Sequence, residues 1–173
     1  MGKIILISGG NGSGKSAFAE AMVGKTAGKR YYIATMVAHS EENHRRIEKH
    51  RQQRRELDFT TLELPALVGD APVEEDSVVL LEDVSNLMAN AMFEKGRDAK
   101  SVCEDVLALA ERCRLLFVVT ISGLSAEGYS GETCDYISAL QTVNACLYER
   151  AFAAVTLEGG MPRWQKGGKE DVG

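Results

Sequence analysis

Eight consecutive residues near the amino end of the chain carry the clearest chemical signal. Gly9-Gly10-Asn11-Gly12-Ser13-Gly14-Lys15-Ser16 matches the pattern Gly-x-x-x-x-Gly-Lys-Ser/Thr at every fixed position. Glycines let the backbone turn through left-handed conformations and present its N–H groups to phosphate oxygens. The lysine is suited to reach β- and γ-phosphates, and the serine hydroxyl is suited to ligate Mg²⁺. The motif predicts a phosphate loop that binds ATP or GTP.

The sequence on either side of this loop supports the same interpretation. Residues 4–8 form a short apolar run that predicts a strand, and residues 16–24 carry apolar side chains at helical spacing. A helix that begins near Lys15 adds the partial positive charge of its N-terminus to the loop. A purely structural turn is the alternative, and the strand–loop–helix context makes it the weaker one.

A carboxylate at the end of a neighbouring strand would complete a Mg²⁺–nucleotide site. Glu82 closes the apolar run 77–82, which predicts a strand buried on both faces. Asp83 follows directly, and adjacent residues on a strand point to opposite faces, so only one of the two acids is expected at the metal. We expect that residue to be Glu82. The alternative is a solvated acid at a strand end.

A basic segment at residues 44–55 stands out in a chain whose net charge is −5. It lies in a stretch from 41 to 56 without Gly or Pro, which predicts an exposed helix. A solvated helix face is one interpretation; a helix that binds anions is the other, because arginines bind phosphate through paired hydrogen bonds. His39, His44 and His50 form no convincing metal set, since His44 and His50 face different directions on a helix. By residue type alone, His50 is a surface histidine.

Strands and helices alternate along the whole chain. Further strands are expected at 31–35, 59–64, 115–120 and 153–157, and further helices at 85–93, 99–112 and 131–150. This alternation predicts a mostly parallel sheet with helices on both faces, the three-layer α/β fold of P-loop NTPases. One domain is expected over residues 1–164, followed by a flexible tail over 165–173.

The composition excludes several classes of protein. With 45% hydrophobic and 26% charged residues the chain is an ordinary globular protein, and its acidic pI near 5.3 favours no nucleic-acid partner. Apolar runs stay well short of the ~20 residues of a membrane span. Cysteines 103, 113, 134 and 146 lie far apart and are expected to be buried small hydrophobes rather than disulfide partners or zinc ligands. A cytoplasmic protein is the expectation.

Several of these pieces occur together, in the same order, in one family. The chain resembles the bifunctional adenosylcobinamide kinase / adenosylcobinamide-phosphate guanylyltransferases of cobalamin biosynthesis. The matching pieces are the phosphate loop, Tyr32-Ile33-Ala34-Thr35, Arg46-Ile47-Glu48-Lys49-His50, Glu63 before Pro65, and Leu80-Leu81-Glu82 with Ser85 and Asn90. They span about residues 3–93, and the similarity continues more weakly through Glu132-Thr133, Tyr136 and Asn144 to Gly160 and Pro162.

The resemblance implies two reactions on one scaffold. ATP or GTP phosphorylates the aminopropanol hydroxyl of adenosylcobinamide; GTP then gives its GMP to an enzyme histidine, with loss of pyrophosphate, and the GMP passes to the cobinamide phosphate. It implies His50 as the guanylylated residue and a trimeric assembly. Lys15 as the second catalytic residue, and Ser16 and Glu82 as Mg²⁺ ligands, are expected from the loop motif and the strand end. Beyond the phosphate loop, the implied nucleotide contacts are Ala34, Thr35, Met36, Arg51, Gln52, Gln53, Arg54, Glu63 and Glu82.

Two positions depart from the family. Ile121-Ser122 stands where the family carries Asn-Glu, and Asn144-Ala145 where it carries Asn-Gln, so an acid and two amides on the corinoid side are changed while the nucleotide residues are complete. Two other interpretations stay open at this point. One is a P-loop kinase of another small metabolite, which needs Lys15 and Ser16 but not His50. The other is a nucleotide-binding paralogue without catalysis.

Overall fold

A seven-stranded sheet organises the computed structural model, which describes residues 2–37 and 40–172. The strands are β1 Lys3–Gly9, β2 Arg30–Ala34, β3 Phe59–Glu63, β4 Val78–Glu82, β5 Leu115–Ile121, β6 Ala153–Glu158 and β7 Met161–Lys166. Their order across the sheet is β3-β2-β4-β5-β1-β6-β7, and every neighbouring pair is parallel except β6 and β7. The predicted three-layer α/β fold is confirmed.

Five α-helices of the described residues cover the sheet. They are α1 Lys15–Val23, α2 Glu41–Gln53, α3 Val84–Lys95, α4 Ala99–Glu111 and α5 Gly131–Arg150, with short 3-10 turns at Arg55–Leu57 and Lys169–Asp171. Ser40, Asp83 and Asp98 cap α2, α3 and α4, because each side chain accepts a hydrogen bond from a backbone N–H of the first turn. Among the described residues no helix is long and apolar enough to span a bilayer.

Apolar layers fill both sides of the sheet. Val79 and Leu81 pack toward α3, α4 and α5, whereas Leu80 packs toward α1, and all three side chains are fully buried. β4 therefore needs apolar residues at consecutive positions, which explains its unbroken hydrophobic run.

The parallel register aligns the carboxyl ends of distant strands at one edge of the sheet. Ala34 of β2 pairs with both Glu63 of β3 and Glu82 of β4, and Glu82 in turn pairs with Val119 of β5. Residues separated by tens of positions in sequence thus meet beside the phosphate loop, which follows β1 at the same edge.

The carboxyl end of the chain differs from the expectation of a flexible tail after Trp164. Strand β7 continues to Lys166 and pairs with β6 across a turn at Gly159 and Gly160, whose φ angles are 55° and 81°. Beyond it, Val172 packs against the apolar layer on the α1 side. The hairpin therefore extends two residues beyond the predicted domain boundary at 164.

The prediction that all four cysteines are unpaired is wrong for two of them. Cys103 of α4 and Cys146 of α5 form a disulfide bond between two packed helices. The two cysteines are 43 residues apart in the sequence, and only the packing of α4 against α5 brings them together, so the sequence did not indicate the pair. Cys113 is buried and free, and burial raises the pKa of its thiol to about 12.

Candidate active site

The loop between β1 and α1 has the backbone shape that its glycines allow. Gly14, the residue before α1, has φ 91°, a conformation that side chains with a Cβ rarely adopt. A Cβ on Gly9 would lie 2.5 Å from the Ser13 Oγ and 2.8 Å from the Leu157 carbonyl oxygen. The loop therefore folds back tightly over the end of β1.

Lys15 is buried within this loop. Its Nζ donates a 2.7 Å hydrogen bond to the Gly10 carbonyl oxygen. Burial lowers the pKa of Lys15, and the charges of Asp83 and Glu82 act in the opposite direction. The geometry places a cation beside loop amides, as phosphate binding requires.

A cleft of about 600 Å³ opens beside the loop and gathers most of the predicted site residues. Predicted residues that line it are Asn11, Gly12, Ser13, Gly14, Lys15, Ser16, Ala34, Met36, His50, Arg51, Gln53, Arg54, Glu63 and Glu82. They come from the phosphate loop and α1, the end of β2, helix α2, and the ends of β3 and β4. The cleft thus brings together the phosphate loop and the basic helix α2, the two parts of the chain in which functional residues were expected.

Four predicted residues are not part of the cleft lining. Gly9 and Gly10 form the base of the loop, and Gln52 is exposed on α2. Thr35 is fully buried, and its Oγ1 donates to the Asp83 carbonyl oxygen and accepts from the Asp83 N–H, both at 2.8 Å. The Thr35 side chain joins the ends of β2 and β4 instead of facing the cleft.

Helix α2 carries His50 to the cleft but has no buried residue of its own. The helix is attached at its C-terminal end, where Arg54 is only 5% exposed. The guanidinium carbon of Arg54 lies 3.4 Å from the ring centroid of Tyr32, a cation–π contact. The exposed helix predicted from charge is confirmed, and the burial of Arg54 shows that its last turn is anchored.

Glu82 is the centre of the polar contacts in the cleft. Its Oε2 accepts a hydrogen bond from the Tyr32 hydroxyl and lies 3.4 Å from His50 Nδ1. Burial acts to raise the pKa of Glu82, but hydrogen bonds with His50, Ser16 and Tyr32 outweigh it and lower the pKa. Glu82 is therefore an ionised carboxylate. Its Oε1 is buried and has no hydrogen-bond partner among the described residues.

Asp83 also lines the cleft, which corrects the expectation that one of the two acids faces away. β4 ends at Glu82, so the alternation of side chains along a strand does not extend to Asp83. Its Oδ1 accepts a 2.7 Å hydrogen bond from the Asn86 N–H and caps α3. Burial raises the pKa of Asp83 to about 6, against the lowering effect of that hydrogen bond.

The residues present fit a Mg²⁺ ion held together with a nucleotide. The described residues contain no cluster of three or more acidic, histidine or cysteine side chains suited to a metal. Mg²⁺ needs only one or two protein ligands when phosphates and waters supply the rest. The hydroxyl of Ser16 and the unpartnered Oε1 of Glu82 provide that donor set.

Two residues of the family pattern hold the strand ends in place. Ser85 Oγ accepts a 2.9 Å hydrogen bond from the Ile121 N–H. Asn90 Nδ2 donates to the carbonyl oxygens of Thr35 and Pro65 at 2.8 and 2.9 Å. These two side chains fix the cleft walls through hydrogen bonds to the backbone, which accounts for a serine and an asparagine at these positions of helix α3.

Sequence reasoning missed the contact of Tyr32 with Glu82 and the burial of Glu20. Tyr32 lies in a strand buried on both faces, so no alternation of polar and apolar residues marks its hydroxyl as part of a site. Glu20 is a buried acid in α1, one turn after Ser16. Four-residue helical spacing places it on the same side as Ser16, and that was the available signal. Ile121, a departure from the family, lines the cleft with an apolar side chain.

These features define a P-loop nucleotide-binding α/β protein: a glycine loop between strand and helix, its lysine, and a carboxylate at the end of a neighbouring parallel strand. Solved structures show the same fold. An ATPase from the type III secretion system of pathogenic bacteria has a TM-score of 0.57 at 10% identity, over 99% of this chain and 60% of that chain. A protein from Pyrococcus horikoshii OT3 has a TM-score of 0.55 at 9% identity, over 98% and 89%.

The chain belongs to the cobinamide kinase / cobinamide phosphate guanyltransferase family, whose model matches residues 5–163. A curated relative is the bifunctional adenosylcobalamin biosynthesis protein CobU of Escherichia coli (strain K12), 40% identical over 99 residues. That alignment spans 55% of this chain and 53% of the relative, about half the length of each. The family resemblance inferred from the motifs is confirmed.

Proposed function

We propose that this protein phosphorylates adenosylcobinamide and then transfers GMP from GTP to adenosylcobinamide phosphate, through a guanylylated His50. Family membership supports the pair of reactions. The observation that carries the guanylyl transfer is the position of His50, in the same cleft as the phosphate loop and with Nδ1 3.4 Å from the Glu82 carboxylate.

The contact with Glu82 determines which ring nitrogen of His50 reacts. An ionised carboxylate facing Nδ1 keeps the proton of a neutral imidazole on that nitrogen and leaves the lone pair on Nε2. Nε2 attacks the α-phosphorus of GTP, a nitrogen–phosphorus bond forms, and the bond from that phosphorus to the bridging oxygen breaks, so that pyrophosphate leaves. A phosphate oxygen of the cobinamide phosphate then attacks the same phosphorus and regenerates His50.

Cationic side chains along α2 are suited to stabilise the charge that develops on phosphate oxygens. Arg46, Lys49 and Arg51 line the cleft on the helix that carries His50. Arg51 Nη2 lies 3.8 Å from the Glu63 Oε1, an exposed ion pair at the edge of the cleft. Guanidinium groups are suited to stabilise charge on phosphate oxygens because they form paired hydrogen bonds with them.

The kinase reaction uses the phosphate loop. Loop amides and Lys15 would hold the β- and γ-phosphates. Ser16 and Glu82 would hold Mg²⁺, which would supply positive charge to neutralise the phosphates. The aminopropanol hydroxyl attacks the γ-phosphorus and displaces the nucleoside diphosphate. Such a reaction needs the triphosphate pool of the cytoplasm, where we place the protein. A homo-oligomer, the trimer that the resemblance implies, is part of the proposal.

The test is a GMP–protein adduct formed from GTP that carries radioactive phosphorus at its α-phosphate. The wild-type protein is expected to retain label that is stable to base and lost in acid, as a phosphoramidate is. H50A is expected to retain none, whereas H44A, a change at an exposed position of the same helix, labels normally. Phosphorylation of adenosylcobinamide by H50A separates loss of the nucleophile from general damage. Equal labelling of wild type and H50A contradicts the proposal.

A further inference from the structure

The carboxyl end of strand β5 forms an apolar wall of the cleft, made by Val119 and Ile121. Strand β5 lies between β4, which ends at Glu82, and β1, which leads into the phosphate loop. In the sheet register Val119 pairs with Glu82 and Ile121 pairs with Gly9. The Ser122 N–H also donates a 3.1 Å hydrogen bond to the Gly9 carbonyl oxygen. The wall therefore stands directly beside the phosphate loop and the proposed Mg²⁺ ligand.

The polar groups around Ile121 are engaged by side chains of the helices behind the sheet. The Ile121 N–H donates a 2.9 Å hydrogen bond to Ser85 Oγ, and the Ile121 carbonyl oxygen accepts one of 3.0 Å from Asn144 Nδ2. Thr120 is fully buried, and its Oγ1 donates a 2.7 Å hydrogen bond to Asn144 Oδ1. Because both backbone polar groups of Ile121 are taken, this residue presents only hydrocarbon to the cleft. Its side chain is partly exposed, so a ligand can reach it.

This wall fits the acceptor of the phosphoryl group better than the phosphates and sugar of a nucleotide. Phosphate and sugar oxygens need hydrogen-bond donors, which the loop, Lys15 and the cations of α2 supply in the same cleft. The aminopropanol arm instead carries hydrocarbon next to its hydroxyl. Hydrocarbon gains free energy when it is buried against Ile121, whereas a polar group without a partner there loses it. Ile121 thus replaces the hydrogen bonds that the family's Asn could make by an apolar contact.

We propose that Ile121 is a specificity-determining residue of the kinase reaction, whose side chain packs against the hydrocarbon of the aminopropanol arm and directs the adjacent hydroxyl toward the γ-phosphorus. Asn144 is a positioning residue that holds Ile121 in the wall through its carbonyl oxygen. The inference rests on the proposed function and specifies part of its acceptor site, an apolar surface for the carbon chain of an alcohol.

The experiment compares I121V with I121T in steady-state phosphorylation of adenosylcobinamide by ATP, with the concentration of each substrate varied in turn. Val and Thr have nearly the same shape, and Thr has a hydroxyl where Val has a methyl group. The KM for adenosylcobinamide is expected to be at least about fivefold higher in I121T than in I121V, because the hydroxyl meets hydrocarbon. The KM for ATP is expected to differ by less than about twofold. The matched control is the pair L67V and L67T, at an exposed apolar position before β4, which should give equal constants.

The role of Asn144 is tested with N144A alone and together with I121A. If Asn144 acts by holding Ile121, the double variant loses no more kcat/KM for adenosylcobinamide than I121A does, whereas losses that multiply contradict that role.

Two results overturn the inference for Ile121. One is a KM for adenosylcobinamide in I121T that equals or lies below that of I121V; the other is a KM for ATP that rises as much as the KM for the acceptor. A wild-type protein that phosphorylates no adenosylcobinamide refutes the proposed kinase reaction and this inference with it. A wild-type kinase whose I121V and I121T variants use adenosylcobinamide equally well refutes only the inference.

Discussion

His50 Nδ1 lies 3.4 Å from Glu82 Oε2. His50 belongs to helix α2 and Glu82 to strand β4, which are not neighbours in the sequence. Residue type alone places this histidine on the surface, whereas the contact places it beside a buried carboxylate. The same carboxylate accepts the Tyr32 hydroxyl on Oε2 and keeps Oε1 free. One side chain therefore serves both the histidine and the proposed metal.

Replacing Lys15 by Ala should weaken binding of ATP and GTP about 10- to 100-fold, the effect of losing a charge-assisted hydrogen bond. Isothermal titration of each triphosphate with Mg²⁺ measures this. K100A, at an exposed position of α4, is the control and should bind as wild type. An unchanged affinity of K15A for both triphosphates would contradict nucleotide binding by the phosphate loop.

E82Q should slow labelling of His50 at least about 100-fold, because an amide no longer selects the Nδ1–H tautomer as a carboxylate does. The linkage in the wild-type adduct is expected at Nε2, which heteronuclear NMR of histidine-labelled protein determines directly. An adduct found on Nδ1 contradicts the orientation derived from the Glu82 contact.

Y32F should shift the acid side of the labelling rate profile to higher pH. The Tyr32 hydroxyl is one of three hydrogen-bonding groups that lower the pKa of Glu82, so its removal lets burial raise that pKa. Glu82 then takes up a proton at a higher pH, and His50 loses its carboxylate partner sooner as pH falls. At pH values above the range in which Glu82 takes up a proton, the labelling rate of Y32F should stay close to that of wild type. A Y32F profile with the wild-type shape and lower rates at every pH contradicts an effect of Tyr32 through Glu82.

The free energy of unfolding of the protein should depend on pH in part through the titration of Glu20. Burial raises the pKa of folded Glu20 to about 6; the Glu82 charge also raises it, and the charges of Arg54 and His50 lower it. A raised acid pKa means that the folded state holds more protons than the unfolded state between about pH 4.5 and 6, so this contribution falls as pH rises through that window.

Chemical unfolding of wild type and E20Q at a series of pH values measures that contribution. The free energy of unfolding of wild type relative to E20Q should decrease by about 2 kcal/mol from pH 4 to pH 7. E104Q, which changes an exposed acid, should parallel wild type throughout. A constant difference between wild type and E20Q contradicts a raised pKa.

Local sequence was sufficient for the phosphate loop, for helices α1 to α5 and for strands β1 to β6, but not for β7. The eight-residue motif specifies its own backbone shape, since glycines, lysine and serine act within one turn of chain, and the alternation of strand and helix patterns specified the parallel sheet. The unbroken apolar run of β4 indicated burial on both faces, which the structure confirms. These features depend on neighbours in the chain, so a sequence displays them.

What only the tertiary structure decided is which distant side chains meet. The parallel register brings Tyr32, Glu82 and the end of α2 to one edge, and helix packing pairs Cys103 with Cys146. Asp83, at the start of α3, lines the cleft, whereas the alternation of side chains along a strand predicted that it faces away from it. Such contacts depend on long-range packing, and no local pattern of residues encodes the partners of a buried acid such as Glu82.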